Sequence, residues 1–252
     1  MGIEQKVHCL GKTGELVVVS DVHIGADTFD EVHFLETVDY CKITKCKIFL
    51  NGDIIENAII QGSSPGEKLL EQKLIPTDQI KYATDLFKPL AKNIIGMTRG
   101  NHEARSRRES LVDISDLLAH SLGVPYLGLG GYIRVRAGSQ PYTLALHHGG
   151  GGGVNTWKEL DRLMGLYPSA DLVGAGHDHN FCTREMTSLN LNEDGTEYIR
   201  VVHEVRTGTY LKYAEYARGR AYAPSAVGSP IITFNSNYSH IDVDVKSLRW
   251  YG

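Results

Sequence analysis

An α/β fold is predicted for this chain by two regularities and one change of character. Short apolar runs rich in branched residues recur through its first 180 residues, and amphipathic helical patterns separate the early ones. That β-α-β rhythm predicts a largely parallel sheet covered by helices. Beyond His179 the pattern turns to apolar–polar alternation, which predicts antiparallel strands that complete a second sheet or extend the first. No low-complexity linker or internal repeat divides the 252 residues. The reading is therefore one domain over 1–252, with the chemistry-bearing motifs in 15–180 and a mainly antiparallel part in 181–252.

The strands come first in the argument. "ELVVVSD" ends at Asp21, "CKIFLNGD" at Asp53, "NIIGMTRGNH" at His102, "YTLALHH" at His147 and His148, and "DLVGAGH" at His177. Each has the length and branched content of a strand buried on both faces. Helices are expected at Thr28–Ile43, with Thr28 and Glu31 as a capping box, and at Pro76–Leu90, Arg107–Leu122 and Asn155–Leu166. Asp194-Gly195 signals a type I′ hairpin, and "SPIITFNSNYSHIDVDV" supplies two last strands.

Composition narrows the classes. Hydrophobic residues make up 42% and charged residues 22%, the profile of an ordinary globular protein. No apolar stretch approaches a membrane span, the first residues lack a signal-peptide core, and Lys6 fits myristoylation poorly. A formal charge of −4 argues against tight binding of long nucleic acid. Cys9, Cys41, Cys46 and Cys182 form no C-x-x-C pair and read as reduced thiols, so a cytoplasmic location is expected.

Polar residues close the apolar runs in an ordered series: Asp21 and His23, Asp53, Asn101 and His102, His147 or His148, then His177 and His179. In open α/β sheets ligands bind beyond the carboxyl ends of strands, so these groups would meet in one place. H-x-H in an extended segment would also put His177 and His179 on one side. Carboxylate, amide and imidazole donors together suit Mn, Fe, Zn or Ni better than Ca. Seven candidate ligands exceed one tetrahedral zinc and suit two adjacent ions that share a carboxylate.

At this point the chain resembles a family, the calcineurin-like metallophosphoesterases. "SDVHIG", "NGDIIE", "RGNHEA", "LALHHG" and "AGHDHN" follow that family's pattern D-x-H, G-D, G-N-H-[D/E], H, G-H-x-H. The resemblance implies a two-sheet β-sandwich flanked by helices. It implies two divalent ions, manganese favoured, with Asp21, His23, Asp53 and His179 on the first and Asp53, Asn101, His147 and His177 on the second. His147 is preferred to His148 as the first histidine after the apolar run, which leaves His148 facing substrate. The implied reaction is phosphate-ester hydrolysis by direct attack of a metal-bound hydroxide, with His102 serving the leaving group. Glu56 stands where many relatives have the Asp that orients this histidine.

Asn57 stands where the family's protein phosphatases continue with Arg, which disfavours a phosphoprotein substrate and favours a phosphodiester or nucleotide. Arg105, Arg107 and Arg108 are candidates for contact with substrate phosphate, as is the glycine run 149–153 before Thr156 and Glu159, another capping-box pair. Tyr210, Tyr213, Tyr216 and Tyr222, interleaved with Lys212, Arg218 and Arg220, keep a repair-exonuclease type of nuclease acting on nucleic acid as the enzymatic alternative. A metal-binding protein-interaction scaffold is the alternative from another class.

Overall fold

A computed structural model describes residues 6–59, 72–150, 156–213, 226–237 and 241–246. Along them run β1 (Val7–Cys9), β2 (Glu15–Val19), α1 (Glu31–Thr44), β3 (Lys47–Asn51), α2 (Pro76–Phe87), β4 (Ile94–Thr98), α3 (Ala104–Ser110) and α4 (Ile114–Leu122). There follow β5 (Gly130–Ala137), β6 (Gln140–His147), α5 (Trp157–Leu166), β7 (Leu172–Ala175), β8 (Phe181–Leu191), β9 (Glu197–Thr207), β10 (Ser229–Phe234) and β11 (Ile241–Lys246). Two mixed sheets form a sandwich, ordered β11-β10-β2-β3-β4 and β1-β5-β6-β7-β9-β8. The β2-β3-β4 and β6-β7-β9 pairings are parallel, whereas β5-β6, β8-β9 and β10-β11 are antiparallel.

Strand alternation explains the unbroken apolar runs. Leu16 and Val18 of β2 point between the sheets, where they meet Phe49, Ile133, Leu144 and Leu146. Val17 and Val19 point the other way, against Phe34 and Val38 of α1, and share that layer with Phe87 of α2 and Leu118 of α4. On the far side, Ala145 and Val173 pack against Leu160 and Leu163 of α5. Both faces of β2, β3 and β4 are covered, so Leu16–Val19, Ile48–Leu50 and Ile94–Met97 carry no polar side chains.

Several local expectations shift. Asp30, not Thr28, caps α1 by accepting the His33 N–H at 3.4 Å. The predicted helix Arg107–Leu122 is two helices, because Leu111 adopts a left-handed φ of 62° and Asp113 then caps α4. Arg107 and Arg108 consequently sit in the last turn of α3, where positive charge favours the helix dipole and does not oppose it. Thr156 makes no side-chain cap to α5. The β8–β9 hairpin forms, but Asp194 is not left-handed and Gly195 alone is, with its N–H donated to the Asn192 carbonyl. That excludes a type I′ turn, which needs two positive φ values.

Candidate metal centre

The ends of β2, β3, β4, β6 and β7 deliver their polar residues to one end of the sandwich. The chain must turn sharply there, and six residues do so in the left-handed region: Asp21 (φ 51°), His23 (53°), Asp53 (48°), Asn57 (45°), His177 (74°) and His179 (60°). The H-x-H pair is thus brought together by left-handed backbone beyond Ala175, the last residue of β7, and not by strand alternation. Such conformations cost of order 1–3 kcal/mol each for residues bearing a Cβ, and persist where surrounding bonds enforce them. Here Val22 and His23 both donate N–H to the Asp53 carbonyl (2.8 and 3.0 Å), and His177 N–H meets both Asp21 carboxylate oxygens at 3.1 Å.

Two groups of candidate donors result, and a third set, His23, Asp53 and His102, overlaps the first at His23 and the second at Asp53. In the first, Asp21 Oδ1 lies 3.4 Å from His179 Nε2, which is 3.2 Å from His23 Nε2. In the second, Asp53 Oδ2 lies 3.3 Å from His148 Nε2, and Asn101 Oδ1 stands 3.0 Å from His148 Nε2 and 2.7 Å from His177 Nδ1. Asp53 faces both groups, its Oδ2 also 3.8 Å from His23 Nε2. Asp21–His23–His179 and Asp53–His148–His177 are each close enough to share one ion.

His148 therefore occupies the place expected for His147. Pleating decides it: Leu144, Leu146 and His148 share the face between the sheets, while Ala145 and His147 face outwards. The His147 ring accepts the Gly149 N–H at 2.9 Å through Nδ1 and stays outside the cluster. His148 is buried, donating Nδ1–H to the Asn51 carbonyl at 2.8 Å.

The donors fit divalent metal. Asp53 Oδ2 is buried with no hydrogen-bond partner among the described residues. Three imidazole nitrogens surround it, His148 at 3.3 Å and His23 and His102 at 3.8 Å each, a setting in which a shared cation would satisfy the buried oxygen. Burial would raise the Asp53 carboxyl, but His148, His102 and His23 outweigh it and hold the group well below the usual carboxylate range. Burial would lower His148, yet Asp53 and Asp21 push it up to about 10. His23 and His177 go down, through burial and then the neighbouring imidazoles of His102 and His148 respectively.

Around this cluster lies a second tier of side chains. Glu56 Oε2 accepts from His23 Nδ1 at 3.0 Å and stands 3.2 Å from His102 Nδ1. Arg105, expected to meet substrate, is buried: its guanidinium donates to the Glu56 carbonyl at 2.8 Å and approaches His102 Nε2 at 3.0 Å. Its charge is committed to holding Glu56 and His102. Asn57 supports the same turn, donating to the His102 carbonyl at 2.8 Å.

Three functional residues escaped the sequence reading. Glu103 receives N–H bonds from Asp53, Ile54, Ile55 and Gly100, and so shapes the Asp53 turn. Burial and then the Asp53 charge push its carboxyl up to about 7. An acid directly after "RGNH" was its available signal. Arg206 joins Glu159 (3.0 Å), Asp178 (3.3 Å) and the Gly176 carbonyl (2.8 Å), which ties α5 to the H-x-H loop. Asn51 fixes the β3–β4–β6 ends, accepting from Thr98 and donating to the His147 carbonyl, each at 3.0 Å. Gly100 and Gly176 have no side-chain alternative, since a Cβ would overlap Asp53 at the first and Ser20 at the second.

Elsewhere, Tyr210 is buried with its hydroxyl on Thr37 and Ser229, so it cannot stack on a base. Tyr216, Arg218, Arg220, Tyr222 and glycines 151–153 lie outside the described residues. No described helix is long and apolar enough to cross a membrane.

A family model described as calcineurin-like phosphoesterase matches residues 15–181. No curated protein matches the sequence. Among solved structures, a predicted phosphoesterase from Streptococcus pneumoniae is 15% identical, covering 94% of this chain and 92% of its own at a TM-score of 0.41. Vps29 of Entamoeba histolytica, complexed with zinc, is 11% identical, covering 92% of this chain and 97% of its own at 0.44. Vps29 of Chaetomium thermophilum is 12% identical, covering 93% and 96% at 0.44.

Proposed function

The chain belongs to the calcineurin-like phosphoesterase family, and from that premise we propose that it hydrolyses phosphate esters at a centre for two divalent ions, phosphodiesters or nucleotides being favoured. Asp21, His23, Asp53 and His179 would hold one ion, and Asp53, Asn101, His148 and His177 the other. The observation that carries this reading is the buried Asp53 carboxylate, set between two donor groups with one oxygen that accepts no hydrogen bond among the described residues and faces the imidazoles of both. Bound there, such ions supply Lewis acidity that activates water and neutralises phosphate charge. The mixed nitrogen and oxygen donors favour manganese, with iron, zinc and nickel also accommodated.

The chain's own residues then divide the remaining work. Glu56 fixes the His102 ring through Nδ1, which leaves Nε2 as the atom for proton transfer. Arg105 donates to that same nitrogen and holds the ring in position, so Nε2 serves the departing oxygen once substrate takes the place of the guanidinium. Glu103 and the Asp53 carbonyl hold the turn that keeps these groups beside Asp53.

The test is metal analysis combined with hydrolysis of bis(p-nitrophenyl) phosphate, p-nitrophenyl phosphate and dinucleotides in Mn, Ni and Zn. Two equivalents of metal and chelator-sensitive diester hydrolysis are expected. Metal binding without hydrolysis of any ester would leave a binding scaffold and overturn the enzymatic reading.

A further inference from the structure

Beside Asn101 opens a cavity of about 380 Å³, within the usual size range of small-ligand sites. Arg99, Arg107 and Arg108 line it together with Leu111, Leu129 and His147. Its charge is unbalanced. Arg99 pairs with Asp113 at 2.8 Å, and Arg107 shares the same carboxylate oxygen at 3.7 Å while its side chain stays 56% exposed. Arg108 is exposed and has no ion-pair partner among the described residues. Three guanidinium groups thus face one carboxylate.

The apolar wall is equally unspent. Leu111 is 88% exposed and Leu129 59% exposed, both on the rim of this cavity. Leu111 also holds a left-handed φ of 62°. A leucine pays roughly 1–2 kcal/mol for that conformation where glycine would pay almost nothing. That backbone ends α3, with the Leu111 N–H donated to the Arg107 carbonyl at 3.0 Å, but it leaves the apolar side chain in water, where a bound flat apolar group would cover it.

We propose that this cavity, which is lined by Asn101 and not by His102 or Arg105, receives the half of the substrate that keeps the cleaved phosphorus, and that this half is a nucleotide, its terminal phosphate on Arg107 and Arg108 and its base on Leu111 and Leu129. The inference deepens the phosphodiesterase reading and rests on it for the position of the cleaved phosphorus beside Asn101. It also gives His147 a place, as part of the cavity wall.

The experiment compares two thymidine dinucleotides, the nucleoside that keeps the cleaved phosphorus carrying either a terminal phosphate or a free hydroxyl, with bis(p-nitrophenyl) phosphate as a third substrate. The wild type should prefer the phosphate-bearing dinucleotide. Replacing Arg107 and Arg108 together by Ala should lower kcat/KM on it by about 10- to 100-fold, the worth of a lost charge-assisted hydrogen bond. The loss on bis(p-nitrophenyl) phosphate should be much smaller, with metal content unchanged. In parallel, thymidine 3′,5′-bisphosphate, an abasic sugar bisphosphate and inorganic phosphate are titrated by calorimetry into wild type, the double variant and Leu111→Gly. Tightest binding of the nucleotide, lost in the double variant and weakened towards the abasic level in Leu111→Gly, supports the assignment.

If no ester is hydrolysed yet that binding pattern holds, the cavity assignment stands and the hydrolytic reading fails. If bis(p-nitrophenyl) phosphate is cleaved but neither the dinucleotide preference nor arginine-dependent binding appears, the cavity assignment alone is overturned. Equal binding of the nucleotide and the abasic bisphosphate would overturn the role of the two leucines.

Discussion

The metal end of the sandwich and the β8–β9 hairpin are built on opposite terms. At the metal end, six residues hold left-handed backbone, carboxylates and imidazoles are buried, and Asp53 Oδ2 accepts no hydrogen bond among the described residues. The hairpin pairs eleven residues with eleven in continuous antiparallel register, yet leaves Leu189, Leu191 and Ile199 exposed. One region gives up local stability to hold groups in place, and the other is locally regular, its outer half leaving side chains in water while its base, with Arg206, joins the metal end. Sensitivity to mutation should follow that division.

The largest effect is expected at Asp53. Asp53→Asn should empty both metal positions and lower turnover by about 10⁴-fold, corresponding to several kcal/mol of lost Lewis-acid stabilisation. Active Asp53→Asn protein with two bound metals, as read by elemental analysis, would remove the shared carboxylate from the scheme. Next comes His102→Asn, which should keep both ions and lose roughly 10²–10⁴-fold on alkyl or nucleoside esters but far less on nitrophenyl esters. Glu56→Gln should follow more weakly, and equal losses across leaving groups would reduce both residues to scaffolding.

His148→Ala should lose one ion and about 10²–10³-fold in activity, while His147→Ala keeps both ions and stays within about tenfold of wild type. The reverse order would restore the ligand chosen from the sequence. A subtler effect concerns pH. The Glu103 carboxyl is raised in the folded protein, so the stability from its proton is present below about pH 4.3 and lost as pH rises through about 7. Melting temperatures of metal-free protein should therefore fall with pH over that window, and Glu103→Gln should flatten the slope; parallel slopes would count against it. Least of all should happen at the hairpin. Leu191→Thr or Ile199→Thr should change stability by less than about 0.5 kcal/mol and leave metal content and kcat alone, as chemical denaturation and assays can check.

The same division explains what could be read from the sequence. Val17–Val19 and Phe49–Leu50 announce strands because burial on both faces demands apolar residues throughout. Polar residues in series at five strand ends announce where chemistry would sit, and the fold does gather them. Side-chain direction was legible too, since counting by two from Leu144 and Leu146 arrives at His148. Commitments made across the fold were not legible. Arg105 carries the same charge as Arg107 and Arg108, yet only contact with Glu56 and His102 shows it to be buried. The left-handed turns at Asp53 and His177 are held by bonds to Glu103 and Asp21 that no local propensity encodes.

One brace has a consequence for the order of assembly. The carbonyl of Asp21 accepts from Thr209 Oγ1 and from the Tyr210 N–H, each at 3.0 Å, and the first bond closes 188 positions of chain. During synthesis every candidate ligand, from Asp21 to His179, leaves the ribosome before those two donors do. The turn that presents Asp21 is therefore finished only by a contact of very long sequence separation, the kind that forms late because its loop-closure entropy must be met first. Ligands gathered earlier lack the bond that sets the Asp21 backbone, so the nascent chain completes its metal-binding geometry only as β9 and the residues after it fold into place.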